Sequence, residues 1–352
     1  MKPGTKLDGK QIERYFLEKF GSRVKEVREL GKGFHGTGFL ARLADGRKFV
    51  FKTLKGEALG HEYPADRAQV LLSAHASFNK LPGHVRSYDV GAITGKGAVS
   101  IGEAKDFFLV MEEVRGREYW KDMNWILEVG KLEKSDLENA RLLADYLAGI
   151  HGRKHDSPSL YMRKVREAVT NNELMMGVID IYPRDVKFAS SDELTGLVKK
   201  TVDWWNRIKW KTHRLRAVHG DFYPGNILFS EKGELIIMDR SRGEYGEPAE
   251  DVACILINYI FYALRQRGKF EGPFAELSGA FLERYLEKTK DEEILSVIAP
   301  FFASRAVVVC CPPFYPQVPD GVRRKMFDFA WNLLDEEKFE LGKINRLMIP
   351  KQ

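Results

Sequence analysis

The chain has 352 residues, 44% of them hydrophobic and 30% charged, with a net charge of +6. That length buries a sizeable core and suits two lobes or domains, while a mild positive excess without a long block of like charge points away from a nucleic-acid partner. No window approaches ~18 uninterrupted apolar residues and the N-terminus carries no apolar signal core, so the expectation is a cytoplasmic protein without a membrane partner.

Residues 1–28 read as a lead-in helix, with Ile12, Phe16, Leu17 and Phe20 recurring on one face of Leu7–Phe20. Gly31, Gly33 and Gly36 follow in G-x-G-x-x-G spacing, with Gly38 close behind. A dinucleotide fingerprint needs a helix directly after such glycines. Here Phe39–Leu43, Asp45-Gly46 and Lys48–Lys52 read as strand, turn and strand. Bare glycine backbone in such a hairpin can approach a phosphate closely, although an ordinary glycine-rich turn is written with the same letters. Lys52 shares a strand face with Val50 and Lys48, opposite Phe49 and Phe51. Turned inward, it needs an anionic partner; at a strand end it sits in solvent. Pro64–Leu81 has helical period, and Glu62 and Asp66, with Glu57 as a third, are acids within reach of a partnership with Lys52. His84–Gly91 reads as a strand. Phe107–Val114 is a near-continuous apolar strand running into charge, ahead of Arg115-Gly116-Arg117.

Ser135-Asp136-Leu137-Glu138 has the form of a capping box. Leu137, Ala140, Leu143, Ala144, Leu147 and Ile150 then form a helical stripe that closes at His151-Gly152. Ser191–Ile208 is a second helical stretch. Trp204, Trp205 and Trp210 near its end fit either a core or an aromatic wall for a ligand.

Val218–Gly246 is the most informative stretch. Ile227-Leu228-Phe229 and Leu235-Ile236-Ile237-Met238 flank Ser230–Glu234, a hairpin connection. The hairpin returns the chain on itself and brings Asn226, before the first strand, near Asp239, after the second. An amide carbonyl beside a carboxylate offers the hard oxygens that suit Mg²⁺ carrying substrate phosphates. Asp221, five positions before Asn226, is then placed to take a proton from an attacking hydroxyl.

His219-Gly220-Asp221, Asn226 and Asp239, in this order and spacing, resemble the catalytic and metal-binding loops of the protein-kinase-like superfamily. Gly220, where protein kinases carry Arg, points to its aminoglycoside phosphotransferase and choline kinase branch. Leu147–His151 resembles that branch's L-A-x-L-H, and Glu247–Ala253 its P-x-x-D-L-A. The resemblance implies an α+β, bilobal kinase-like fold: a β-rich nucleotide-binding lobe over residues 1–115 and a mainly helical lobe over 116–352. It implies ATP, or GTP, as donor, Mg²⁺ as cofactor and a small-molecule hydroxyl as acceptor. Asp221 would be the catalytic base, with Asn226 and Asp239 on the metal. The Gly31–Gly38 loop would cover the phosphates and Lys52 would hold two of them. Backbone groups of Glu112 and Val114 would meet the base, with Met111 lining its pocket. His219 and Asp251 would brace the catalytic loop, and His151 would pack against or hydrogen-bond a nearby loop. The long insert before His219, and the lack of an extended activation segment before Glu247, disfavour a protein substrate. An atypical protein Ser/Thr kinase and a non-catalytic nucleotide-binding module are the alternatives.

The remainder reads as helices over about 251–267, 272–288, 291–304 and 321–336. Arg305–Cys311 is valine-rich and ambiguous between strand and helix. Cys311–Gly321 is a proline-rich loop suited to edging an acceptor pocket. Cys254, Cys310 and Cys311 form no C-x-x-C and read as buried structural thiols.

Overall fold

A computed structural model of the chain describes residues 9–32, 36–54, 61–78, 86–94, 96–102, 114–240 and 242–350. The chain divides into two compact units, Met1–Glu112 and Glu113–Gln352.

In the first unit, helix α1 (Gly9–Phe20) precedes an antiparallel sheet of β1 (Val24–Lys32), β2 (Gly36–Leu43) and β3 (Lys48–Leu54). The lead-in helix therefore stops at Phe20 and does not reach residue 28. Gly21 takes φ +70°, a helix-ending conformation that glycine adopts without strain. Ile12 and Phe16 pack on Ala41 and Leu43, with Phe20, Phe49 and Phe51 around them. Helical period on one side and strand alternation on the other thus build a single small core. Helix α2 (Pro64–Phe78) and the hairpin of β4 (Gly91–Thr94) and β5 (Gly97–Ser100) complete the described elements of this unit. Of the expected strand His84–Gly91, Gly91 opens β4, whereas Arg86–Val90 joins no ladder. Instead the Asp89 carboxylate accepts hydrogen bonds from the Tyr15 hydroxyl (2.5 Å), the Ser100 hydroxyl (3.0 Å) and the Gly102 N–H (3.2 Å), anchoring the segment through its side chain.

The second unit opens with β6 (Arg117–Glu118), α3 (Tyr119–Val129), α4 (Lys134–His151), α5 (Pro158–Thr170), α6 (Met175–Ile179) and α7 (Ser191–Ile208). The capping box of α4 uses Glu133 and Asp136, not Ser135 and Glu138: the helix starts earlier than the S-x-x-E pattern suggests, and Asp136 accepts from the Glu133 N–H at 2.8 Å. At α7, Ser190 and Glu193 cap each other's backbone N–H groups, so the helix begins where its apolar stripe begins. Next come β7 (Arg216–Ala217), β8 (Ile227–Phe229), β9 (Leu235–Ile237) and β10 (Tyr245–Gly246). β8 pairs antiparallel with both β6 and β9, and β10 pairs with β7.

The rest is helical: α8 (Ala249–Arg267), α9 (Pro273–Thr289), α10 (Ala299–Cys310), α11 (Asp320–Leu333) and the short α12 (Ile344–Leu347). Residues Ala249–Leu264 of α8 are buried on every face, which makes it the centre of the unit. The single helix expected over 291–304 is a 3₁₀ turn, Glu292–Ser296, followed by α10. Pro300 explains the break, because it lacks an N–H and is accommodated only in a helix's first turn. The valine-rich Arg305–Cys311 stretch is helical through Cys310. No helix among the described residues is long and apolar enough to cross a membrane.

Candidate active site

The second unit assembles the His219–Asp221 segment around one buried carboxylate. Asp251 lies in the first turn of α8 and is fully buried. Its Oδ2 accepts from the His219 N–H (2.7 Å) and its Oδ1 from the Gly220 N–H (2.7 Å). His151, ending α4, places Nε2 3.1 Å from Asp251 Oδ2 and Nδ1 2.8 Å from the Tyr285 hydroxyl. Burial alone would raise the Asp251 pKa, but the His151 hydrogen bond, the nearby imidazoles and the backbone donor outweigh it and hold it below the usual range.

Gly220 turns the loop at φ +87°, and a Cβ there would lie 3.1 Å from Cβ of Arg242. Glycine serves both needs. His219 Nδ1 accepts from the Asp221 N–H (3.2 Å), so the ring proton sits on Nε2 and donates to the Met238 carbonyl at 2.7 Å. The Met238 N–H in turn donates to the Asn226 carbonyl at 2.9 Å. Met238 is thus held from both sides, and Asp239 follows it two residues past the end of β9. Asp239 is exposed, with φ +55°. This left-handed backbone is uncommon outside glycine, though Asp tolerates it better than most, and such conformations concentrate at functional sites. Asn226 is buried and donates Nδ2 to the Asp221 carbonyl at 3.0 Å, leaving Oδ1 as its acceptor atom.

Asp221 itself meets a residue that sequence reasoning missed. Arg305, buried in α10, donates Nη1 to Asp221 Oδ1 at 2.5 Å and Nη2 to the Gly220 carbonyl at 2.6 Å. Its Nη2 also lies 3.5 Å from Glu250 Oε1. A lone arginine in the apolar run Ala299–Cys310 was the available signal, since a buried charge demands a partner. Burial pushes the Glu250 pKa up, against the pull of Lys164, Arg305 and Arg242. On the same side, Arg242 Nη2 stands 3.6 Å from Asp221 Oδ1.

The proline-rich loop is pinned by Arg323, buried in α11, which donates to the carbonyls of Cys310 (2.7 Å), Tyr315 (2.7 Å) and Val318 (3.2 Å). The Tyr315 phenol is pushed up to about 12, chiefly by burial, with the charge of Asp221 among the smaller causes. Trp204 belongs to the core, donating its indole N–H to the Leu334 carbonyl at 2.8 Å, whereas Trp210 is 68% exposed.

In the first unit, strand register aligns Gly31 with Gly38 and Gly38 with Lys52, a row across all three strands. Lys52 is exposed on the face opposite the α1 core. Asp66 accepts from the Tyr63 N–H at 2.8 Å, at the start of α2. Glu62 is buried. Val114 is partly buried. Gly33, Glu57, Met111 and Glu112 lie outside the described residues.

Among the described residues no three His, Cys, Asp or Glu side chains form a metal cage. An amide oxygen and a carboxylate fit a different kind of site, in which Mg²⁺ takes few protein oxygens and completes its shell with phosphates and water.

The model of the phosphotransferase enzyme family, APH, matches residues 26–293. No curated protein matches the chain significantly. Among solved structures, the chain is similar to a glucosamine kinase with bound glucosamine, ADP and inorganic phosphate, at 14% identity and a TM-score of 0.38, over 93% of this chain and 91% of that one. It is similar to the aminoglycoside phosphotransferase APH(2'')-Ib bound to ADP, at 14% identity and a TM-score of 0.34, over 91% and 99% of the two chains. A third is the ethanolamine kinase of Plasmodium vivax, at 13% identity and a TM-score of 0.36, over 92% and 80%.

Proposed function

The chain belongs to the phosphotransferase enzyme family, and from that premise we propose that it transfers the γ-phosphoryl group of ATP to a hydroxyl of a small molecule. Asp221 orients the hydroxyl and accepts its proton, a role that contributes typically ~10²–10⁴-fold. Asn226 and Asp239 would hold Mg²⁺, which supplies charge neutralisation on the phosphates when bound. Lys52 and the Gly31–Gly38 hairpin bind the phosphates, with Glu62 or Asp66 orienting the lysine. Met111, Glu112 and Val114 serve the base. Backbone recognition of this kind leaves GTP as a second donor. His219 and Asp251 hold the loop in place and exchange no proton with substrate.

The observation that carries this reading is the Asp221–Asn226–Asp239 grouping, bound together by the Asn226–Asp221 and Met238–Asn226 hydrogen bonds. The test is nucleotide consumption across small-molecule pools by the wild type and by Asp221→Asn. The expected outcome is turnover that Asp221→Asn lowers by about 10²–10⁴-fold, with Mg-nucleotide affinity unchanged. Equal turnover by both proteins removes Asp221 as the base. Nucleotide binding without turnover from any pool favours the non-catalytic module.

A further inference from the structure

Asp221 stands between two guanidinium groups that differ in how they are satisfied. Arg305 is bonded to Asp221 and to the Gly220 carbonyl. Arg242 is not settled in this way. Its side chain is only 8% exposed, yet Nε and Nη1 are buried without a hydrogen-bond partner. Nε lies 3.5 Å from Glu173 Oε2 as an ion pair, Nη2 donates to the Glu173 carbonyl at 3.5 Å, and Nη2 lies 3.6 Å from Asp221 Oδ1. The Glu173 side chain is itself 68% exposed, so its hold on Arg242 is weak and exchangeable. The backbone of Arg242 is firmly placed, because the buried Lys164 Nζ donates to its carbonyl at 2.7 Å.

A buried guanidinium with unmade hydrogen bonds is costly, and such a group in a folded protein calls for an explanation. Its planar fork matches a carboxylate or a phosphate with two parallel N–H bonds, and a cationic ligand would meet repulsion there. Resting on the phosphotransferase reading above, we propose that the acceptor carries an anionic group, a carboxylate or phosphate monoester, which docks on Arg242 in place of Glu173 and leaves its hydroxyl at Asp221. Arg242 is then a specificity-determining residue for the acceptor.

The test begins with binding. Inorganic phosphate and acetate are titrated separately into the wild type, Arg242→Gln and Glu173→Gln, each saturated with Mg²⁺ and AMP-PNP, with thermal stability as the readout. The wild type is expected to gain stability from at least one anion. Arg242→Gln should bind that anion at least tenfold more weakly, and Glu173→Gln at least threefold more tightly, because a competing carboxylate has gone. AMP-PNP affinity should stay within twofold in all three. Absent anion binding by the wild type, equal binding by Arg242→Gln, or a tenfold loss of AMP-PNP affinity in that variant each overturns the proposal. In the consumption assay, turnover should come from anionic pools, with Arg242→Gln raising KM for the acceptor; turnover confined to neutral or cationic pools also overturns it. The binding arm stands apart from catalysis, whose assignment to Asp221 fails on the Asp221→Asn assay alone.

Discussion

At the scale of single residues, Asp251 holds the backbone of His219 and Gly220 in place. One carboxylate serves two consecutive backbone N–H groups and an imidazole. Truncating it leaves those donors buried and unpaired. Asp251→Ala is therefore expected to cost about 3–5 kcal/mol, read from denaturant unfolding. Asp251→Asn, which keeps the shape and one acceptor, should cost less. The native pKa is depressed, so this carboxylate's stabilisation is complete above its unfolded value of about 3.9 and disappears as pH falls through the lower native value. The acid-side decline in stability should be shallower in Asp251→Asn than in the wild type. The motif around Asp251 was legible as a resemblance; its partnership with His151, a hundred positions earlier, was not, because hydrogen-bond partners across helices leave no local periodicity. Arg305 could be read as a buried charge in need of a partner, but the identity of that partner was illegible for the same reason.

At the scale of elements, an ionic junction ties three segments together. Arg214, buried in the 3₁₀ turn after α7, donates to Glu247 ahead of α8 (2.7 and 2.9 Å) and to Asp291 after α9 (2.7 and 2.9 Å). Arg214→Ala would strand Glu247, which is fully buried, and should destabilise the protein by about 3–5 kcal/mol. Lys211, His213 and Arg214 also gather on Glu293. Burial would raise that carboxyl, but the hydrogen bonds from Lys211 and His213 and the charges of Arg214 and Lys211 bring it from 4.5 to about 2. Its stabilisation is then full above pH 4.5 and lost between there and about 2. Unfolding measured at pH 5 and pH 3 should show a smaller loss in Glu293→Gln than in the wild type. Helices such as α7 were legible because stripe and cap agree. The α4 start and the break before α10 were misread where two capping acids compete, or where Pro300 sits inside an apolar run.

At the scale of the whole molecule, all three cysteines are buried. Burial pushes the Cys254 thiol up to about 12 and raises Cys310 and Cys311 as well. Thiolate is the reactive form, so a disulfide-exchange reagent at pH 8 should find no reactive thiol in the native protein and three after denaturation, counted by absorbance. A thiol that reacts within minutes in the folded state would contradict this packing. Burial penalises charged groups, and the helical unit holds Asp251, Arg214, Arg305 and Arg323 inside it because each has named hydrogen-bond partners.

By itself, the sequence determined the family, the α+β class and the hairpin around Asp221, Asn226 and Asp239. Those features live in spacing and in short-range backbone geometry, which a linear chain records directly. Only the tertiary structure decided which charges surround Asp221. Arg305 arrives from α10 and Arg242 from the loop beyond β9, and neither position carries a local signal of where its guanidinium points. Electrostatic partnership depends on distance in space, and distance in space is set by how the buried helices pack around α8.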